Sequence, residues 1–143
     1  MNETVKLFPF LLYDAASSWR NSLDNCLKPL GLSQAKWRTL LHLSIVDRPL
    51  SQTELAQRLA IENPTLVGLL DRLAKEDWIE RHFDENDRRL KTIHLTKKAK
   101  AMLVKIHQIA DKLRDELLED ISENHLKSCI NVFKKIKSRA EEL

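Results

Sequence analysis

Apolar residues recur every three or four positions along most of this chain, which is the spacing of one face of an α-helix. The first such segment runs from about Thr4 to Leu27 and ends around Pro29 and Gly31, two residue types that interrupt helices. Ser33 can cap a second helix. The predicted inner faces of these helices consist of Leu7, Leu11, Ala15, Trp19, Leu23 and Cys26, and of Trp37, Leu40, Leu41 and Ser44.

Residues 51–75 predict two short helices with a tight connection. Ser51 and Glu54 have the S-x-x-E spacing of a capping box, in which each side chain satisfies a free backbone N–H at a helix start. After a break at residues 60–63, Pro64 suits the first turn of a new helix, because its missing N–H would have no partner there. The inward positions are Leu55, Ala56 and Leu59, followed by the stripe Leu66, Leu69, Leu70 and Leu73. The opposite side of the second helix carries Pro64, Thr65, Gly68, Asp71, Arg72 and Lys75.

The helical period gives way to alternation after Lys75, which predicts strands over residues 78–83 and 91–95. Asn and Asp at the tip, residues 84–89, suit a turn because they bond locally and tolerate unusual backbone angles. A two-stranded hairpin is barely stable alone, so it must pack against the preceding helices. Two short helices followed by a hairpin predict a winged helix–turn–helix. The two helices taken by themselves also fit an ordinary αα-hairpin in a bundle.

Two further amphipathic helices end the chain, with Thr96 and Ser122 as their predicted N-caps. Their apolar stripes consist of Leu103, Ile106, Ala110, Leu113 and Leu117, and of Leu126, Cys129, Ile130, Phe133 and Ile136. The first and last helices could pair with those of a second copy, so dimerisation is expected, although the same stripes could close one compact core. The prediction is thus a mainly α protein with a small β-hairpin, forming a single domain over 1–143. Its core spans about 33–96 with a wing at 78–95, flanked by dimerisation helices at about 1–30 and 97–143.

Composition agrees with a helical globular protein, since the 143 residues include only two Gly and four Pro. No apolar run approaches the roughly 18 residues of a membrane span, and no signal peptide is recognisable, so a cytoplasmic location is expected. Cys26 and Cys129 are predicted to be small buried hydrophobes. The five histidines show no ligand spacing, so neither a metal nor another cofactor is expected.

Charge is segregated along the chain although the net charge is only +3. Residues 88–105 include seven Lys or Arg and no Asp or Glu, which indicates either a local anionic partner or a plain solvated face. Double-stranded DNA is such a partner. The major groove admits one helix, whose N-terminal residues reach base edges. The residues expected in the groove are Asn63, Pro64, Thr65 and Gly68, with Arg72 nearer the backbone.

The hairpin tip suits the minor groove, where the strong negative potential of A·T-rich DNA attracts an inserted arginine. Arg88 and Arg89 could both reach it. Asp87 can hold the guanidinium of Arg89 by a bidentate contact and so fix its direction. The alternative is an ordinary surface ion pair, contributing less than about 1 kcal/mol.

The run ENPTLVGLLDRLAKEDWIERHFDENDRRLKTIHLT resembles the DNA-binding core of the MarR family of bacterial transcription regulators, most closely its SlyA branch. LKPLGLSQAKWRTL and SQTELAQRLAIENPTLV resemble SlyA-type sequence in order and spacing. The resemblance implies a homodimer on a pseudo-palindromic site, with Arg89 in the minor groove and Asp87 orienting it. One departure concerns the recognition helix, where SlyA-like proteins commonly carry Arg at the position of Gly68.

The same resemblance implies a response to small aromatic carboxylates, with Trp19, Arg20 and Trp37 at pocket positions. Aromatic walls and one cation would suit an anionic ring, although both tryptophans could simply be core residues. The expected function is therefore sequence-specific regulation of transcription without catalysis, because no phosphate-binding loop, activated nucleophile or metal spacing is found. The alternative is a helical interaction module whose basic hairpin binds an acidic protein.

Overall fold

A computed structural model describes residues 2–143 and contains helices, a short 3-10 turn and a small sheet. The elements, in chain order, are α1 (Glu3–Leu27), the 3-10 turn (Lys28–Leu30), α2 (Gln34–Ser44), β1 (Leu50–Ser51), α3 (Gln52–Leu59), α4 (Asn63–Lys75), β2 (Ile79–Phe83), β3 (Lys91–Leu95), α5 (Lys97–Leu117) and α6 (Glu123–Glu141). The chain forms two compact units, one ending at Ala110 and one running from Asp111 to Leu143. Within residues 2–143, no helix is sufficiently long and apolar to cross a bilayer.

Side-chain caps fix the helix starts where the sequence predicts them. The Ser51 hydroxyl accepts from the Glu54 N–H at 3.1 Å, and the Glu54 carboxylate accepts from the Ser51 N–H at 3.2 Å, so the capping box is confirmed. Ser33 caps α2, Thr96 accepts from the Ala99 N–H at the start of α5, and Ser122 caps α6. These local hydrogen bonds fix where α2, α3 and α5 begin in the first unit.

The core of the first unit lies between α2, α3, α4 and the sheet. The predicted stripe of α4 (Leu66, Leu69, Leu70 and Leu73) is buried, with no member more than 4% exposed. In α2, Trp37 and Leu40 are buried as predicted, whereas Leu41 and Ser44 are only half-buried. Thr39 and Leu43 take the remaining buried positions, and the Thr39 hydroxyl donates to the Ala35 carbonyl at 2.8 Å.

The sheet has three strands, which corrects the two-stranded hairpin predicted from the sequence. Its order is β1-β3-β2, both pairs are antiparallel, and Leu50 lies opposite Ile93. A two-residue strand is too short to show alternation, so β1 has no sequence signature of its own. Trp78, predicted as a strand residue, lies just before β2 and is buried. The third strand attaches the wing to the segment that leads into α3.

The terminal helices depart most from the predicted burial. In α1, Leu23 is buried, while the other predicted inward residues (Leu7, Leu11, Ala15, Trp19 and Cys26) are exposed. In α5, Leu117 is exposed, and in α6 Leu126 is half-buried while Cys129, Ile130, Phe133 and Ile136 are exposed. The prediction that both cysteines are buried is therefore wrong. Helical spacing shows that a face is apolar, but it carries no information about what covers that face.

Candidate nucleic-acid interface

Helix α4 presents its polar side outward because its leucine stripe occupies the core. Asn63, Pro64 and Thr65 are exposed in its first turn, and Arg72 is exposed two turns further on. Gly68 is half-buried, and a Cβ placed on it would lie 3.8 Å from Nη1 of Arg72. The four positions predicted to enter the groove, and Arg72, predicted to lie nearer the DNA backbone, thus all lie outside the buried leucine stripe of α4.

The wing tip is ordered by Asp84, one of the turn residues expected from the sequence to bond locally. One oxygen of Asp84 accepts from the N–H groups of Asn86 and Asp87, at 2.7 Å and 3.2 Å. The Asp84 N–H donates to the Leu90 carbonyl, and the Leu90 N–H donates to the Asp87 carbonyl. Such local side-chain bonds favour a turn over continued strand. The tip therefore holds a defined conformation beyond the paired strands.

Asp87 forms the predicted bidentate contact with Arg89. Oδ1 of Asp87 accepts from Nε of Arg89 at 3.0 Å, and Oδ2 accepts from Nη2 at 3.1 Å. The Arg89 guanidinium, followed by the Arg89 backbone N–H, lowers the pKa of the Asp87 carboxyl. The Arg89 side chain is 90% exposed and that of Asp87 only 34%. The pair thus consists of an exposed cation, Arg89, held by a partly covered carboxylate, Asp87. The adjacent Arg88 is also exposed.

An ion pair between Arg81 of β2 and Asp71 of α4 connects the wing to the helix. Nη1 of Arg81 lies 2.6 Å from Oδ1 of Asp71. Neither sequence period nor spacing identifies this contact, because the two residues belong to different elements and meet only in the folded chain. The contact joins β2 of the wing to the outer side of α4.

Another contact missed from the sequence places a cation beneath the wing. The ammonium of Lys98, in α5, lies 4.0 Å from the centre of the Trp78 ring and donates to the Glu76 carbonyl at 2.7 Å. A cation over an indole face is attracted by the ring quadrupole. Lys98 therefore connects the start of α5 to the turn between α4 and β2.

A cleft of about 710 Å³ lies between the start of α3, the outer side of α4 and the wing. Gln52 and Thr53 line it from α3, Val67 and Asp71 from α4, and Arg89 from the wing. Arg81 and Lys91 add positive charge to its wall. The fold thus brings Arg89 to the same concave surface as α4, although the first-turn residues of α4 are not among those lining it.

The three residues predicted to bind an aromatic carboxylate have different environments. Trp37 is 2% exposed, and its indole N–H donates to Asp24 at 2.8 Å, so it is a core residue, as the alternative predicted. Trp19 is 38% exposed and Arg20 is exposed. Burial, followed by the positive charge of Arg20, lowers the pKa of Arg38, which indicates that these two cations lie near each other.

No group of three or more His, Cys, Asp or Glu side chains that could hold a metal ion occurs within residues 2–143. The exposed side chains of α4 and the wing include the guanidinium groups of Arg72, Arg88 and Arg89, the hydroxyl of Thr65 and the amide of Asn63. Such groups bind phosphates and base edges by hydrogen bonds and charge.

Helices α2–α4 with their short connections, followed by the β2–β3 wing, define a winged helix–turn–helix protein. The family model described as MarR family matches residues 30–90. The structure of the transcriptional regulator PA3341 is 39% identical and matches 95% of this chain and 99% of that chain, with a TM-score of 0.91. The chain therefore belongs to the MarR family of transcriptional regulators.

Two solved complexes show the same fold. A mutant of E. coli MarR complexed with operator DNA is 25% identical and matches 94% of this chain and 96% of that chain, with a TM-score of 0.78. The S. aureus MepR–DNA complex is 23% identical and matches 92% and 97% of the respective chains, also at 0.78. These likenesses extend over nearly the whole chain and are not limited to the winged-helix core.

Proposed function

We propose that this MarR-family regulator binds double-stranded operator DNA in a sequence-specific manner, as a homodimer of the SlyA-like branch on a pseudo-palindromic site. In this proposal the first turns of α4 enter the major groove and the wing reaches the adjacent minor groove. The observation that carries it is the exposed Arg89 guanidinium, aimed by Asp87 on the same concave surface as α4. The likeness to the structure of mutant E. coli MarR complexed with operator DNA supports this proposal.

The wing would contribute both charge and shape recognition. The minor groove of A·T-rich DNA is narrow and strongly negative, so an arginine held at the correct angle gains more there than a freely rotating one. Asp87 supplies that angle by two hydrogen bonds, and the Asp84 bonds hold the turn that carries both residues. Arg88 would add attraction to the nearby phosphates.

The proposed homodimer would cover the apolar faces of the terminal helices. In α1, Leu7, Phe10 and Leu11 are each more than 50% exposed. In α6, Ile130 and Phe133 are 50% and 48% exposed. Several large apolar side chains exposed along one helix are typical of an interaction site in a protein. A two-fold dimer would present two copies of α4, which accounts for a palindromic site.

Selection of bound duplexes from a random library, followed by titration of the selected site at two salt concentrations, tests this function. We expect a two-fold symmetric consensus and an affinity for it that random duplex does not match. Equal affinity for selected and random duplex would reject sequence-specific regulation. If polyglutamate displaced the DNA at equal charge concentration, the acidic-protein alternative would be favoured instead.

We further propose that a small aromatic carboxylate weakens this DNA binding. Trp19 offers a partly exposed ring, and Arg20 and Arg38 are neighbouring cations that could bind a carboxylate. Trp37 would then support the site from the core and would not contact the ring. Titration with salicylate should quench Trp fluorescence and release operator DNA, and Arg20→Ala should abolish both effects. Quenching that persists in Arg20→Ala would count against this site.

A further inference from the structure

The outer side of α4 has no side chain at Gly68, and the side chain of Arg72 lies across this position. Thr65, Gly68 and Arg72 are spaced i, i+3 and i+7, so they share one face of the helix, opposite the leucine stripe. A Cβ built on Gly68 would meet one side-chain atom within 4 Å, Nη1 of Arg72, at 3.8 Å. The guanidinium of Arg72 therefore covers the surface that a side chain at position 68 would use.

The direction of this side chain follows from helix geometry. The Cα–Cβ bonds of an α-helix tilt toward its N-terminus, so a long side chain covers the residue four positions earlier. The N-terminal end of α4 is also the end proposed to enter the major groove. Arg72 thus directs its charge toward the groove-facing turns, although its Cα lies in the second half of the helix.

Arg72 is available to bind an external group, since no ion pair within residues 2–143 engages its guanidinium. The carboxylate of Asp71 is 2.6 Å from Nη1 of Arg81 in the wing. None of the ion pairs formed among residues 2–143 includes Arg72. The recognition helix therefore carries an exposed guanidinium, that of Arg72, that is not part of an ion pair among the described residues.

We propose that Arg72, extended across Gly68, is the residue that reads a base edge in the major groove. An arginine fork matches the two acceptors of guanine, O6 and N7, so the expected base at the contacted position is G. Gly68 is required because a larger residue would displace the guanidinium, and a cation at i−4 would repel it. The inference rests on the proposed function. It assigns Arg72 to a base contact, whereas the sequence predicted a position nearer the DNA backbone.

The test compares the sequence preferences of four variants with that of the wild type, each measured by selection from random duplexes. Arg72→Ala should lose the preference for G at one base pair in each half-site, with discrimination there falling roughly tenfold or more. Lys75→Ala is the matched control, since it removes one exposed cation from the same side of α4. It should retain the full consensus.

The two remaining variants test the role of Gly68. In Gly68→Ala the new Cβ would lie at an ordinary contact distance from Arg72, so the consensus should persist. Gly68→Leu should alter the same base pair as Arg72→Ala, because the larger side chain displaces the guanidinium. Circular dichroism and thermal unfolding verify that every variant is folded.

Two results would overturn the assignment of Arg72. If Arg72→Ala weakened selected and random duplexes equally while keeping the consensus, Arg72 would contact phosphate instead. If Gly68→Leu changed a different base pair or none, the two positions would not be coupled. A wild-type protein that selects no consensus would reject the proposed function itself, which is a separate outcome.

Discussion

The carboxylate of Asp87 accepts hydrogen bonds from both Nε and Nη2 of Arg89 at the tip of the wing, at 3.0 and 3.1 Å. Because the arginine is 90% exposed, solvent screens the pair and it contributes little to folding stability. Its effect is to restrict the rotation of the guanidinium. A restricted side chain loses less entropy on binding, so the pair should influence DNA affinity far more than stability.

Asp87→Asn separates the effect of charge from that of positioning, because the two effects have opposite signs. The change raises the formal net charge from +3 to +4, which by itself strengthens attraction to DNA. We expect operator affinity to fall by roughly tenfold, which corresponds to the free energy of about one charge-assisted hydrogen bond. Affinity for random duplex should be unchanged or higher. Glu85→Gln, with the same charge change at the same tip, should not lower operator affinity. An equal loss in both variants would remove the positioning role.

Arg89→Ala should weaken operator binding strongly while leaving the fold intact. The salt dependence of binding should also become shallower, by about 0.9 in the log–log slope for each phosphate that the variant no longer neutralises. Titrations at several salt concentrations with wild type, Arg89→Ala and Arg88→Ala measure both quantities. We expect the larger decrease in affinity in Arg89→Ala, since Arg89 alone of the pair is held by Asp87. Equal decreases would indicate a shared electrostatic role.

Gly68→Ala should stabilise the protein by about 0.5–1 kcal/mol, because glycine inside a helix carries an entropic cost that alanine does not. The space is available, since the added Cβ would meet only an arginine tip at 3.8 Å. Gly31→Ala is the contrasting variant. Gly31 has φ of +74°, a conformation that costs an alanine about 1 kcal/mol or more. Urea unfolding of both variants should give shifts of opposite sign.

The Glu54 carboxylate should stabilise the fold at neutral pH, and this contribution should be lost in acid. The hydrogen bond from Arg48, followed by the Ser51 N–H, lowers the pKa of Glu54 to about 2, from an ordinary value of 4.5. A depressed carboxyl pKa gives stability that is present above pH 4.5 and is lost as the pH falls toward 2. The difference in unfolding free energy between wild type and Glu54→Gln should therefore shrink over that window. Glu85→Gln, which removes an exposed carboxylate at the wing tip, is the comparison variant.

Placing a charge on an exposed apolar helix face should disrupt the proposed dimer. Phe10 of α1 and Phe133 of α6 are 68% and 48% exposed, and burying glutamate at either position in an interface without a partner is unfavourable. We expect Phe10→Glu and Phe133→Glu to sediment as folded monomers. Ile45→Glu is the matched control, because Ile45 is 61% exposed beyond the end of α2. If all three remained dimeric, neither helix would contribute to the interface.

Local features of the fold could be predicted because they depend on neighbours in the chain. The capping box of Ser51 and Glu54 is set by a three-residue spacing, and the leucine stripe of α4 by the helical period. The contact between Asp87 and Arg89 belongs to the same class, since the partners are two residues apart. These features account for the predicted site at the wing tip.

Contacts between distant segments could not be obtained in this way. The strand β1 pairs with β3, yet its two residues carry no alternation, and Asp71 meets Arg81 only after α4 and the wing have packed. Apolar periodicity also misplaced the burial of Cys26 and Cys129, which are exposed. Helical spacing of apolar residues shows that one face of a helix is apolar, but it does not identify the surface that covers this face.

The sequence alone determined the order of the helices and of the two wing strands, the caps of α2, α3, α5 and α6, and the paired wing tip, because short-range hydrogen bonds and side-chain periodicity fix each of these. Only the tertiary structure decided that β1 pairs with β3 and that Arg81 engages the carboxylate of Asp71. The path of a long side chain depends on which neighbouring groups are already paired, and that pairing exists only once the elements have packed together.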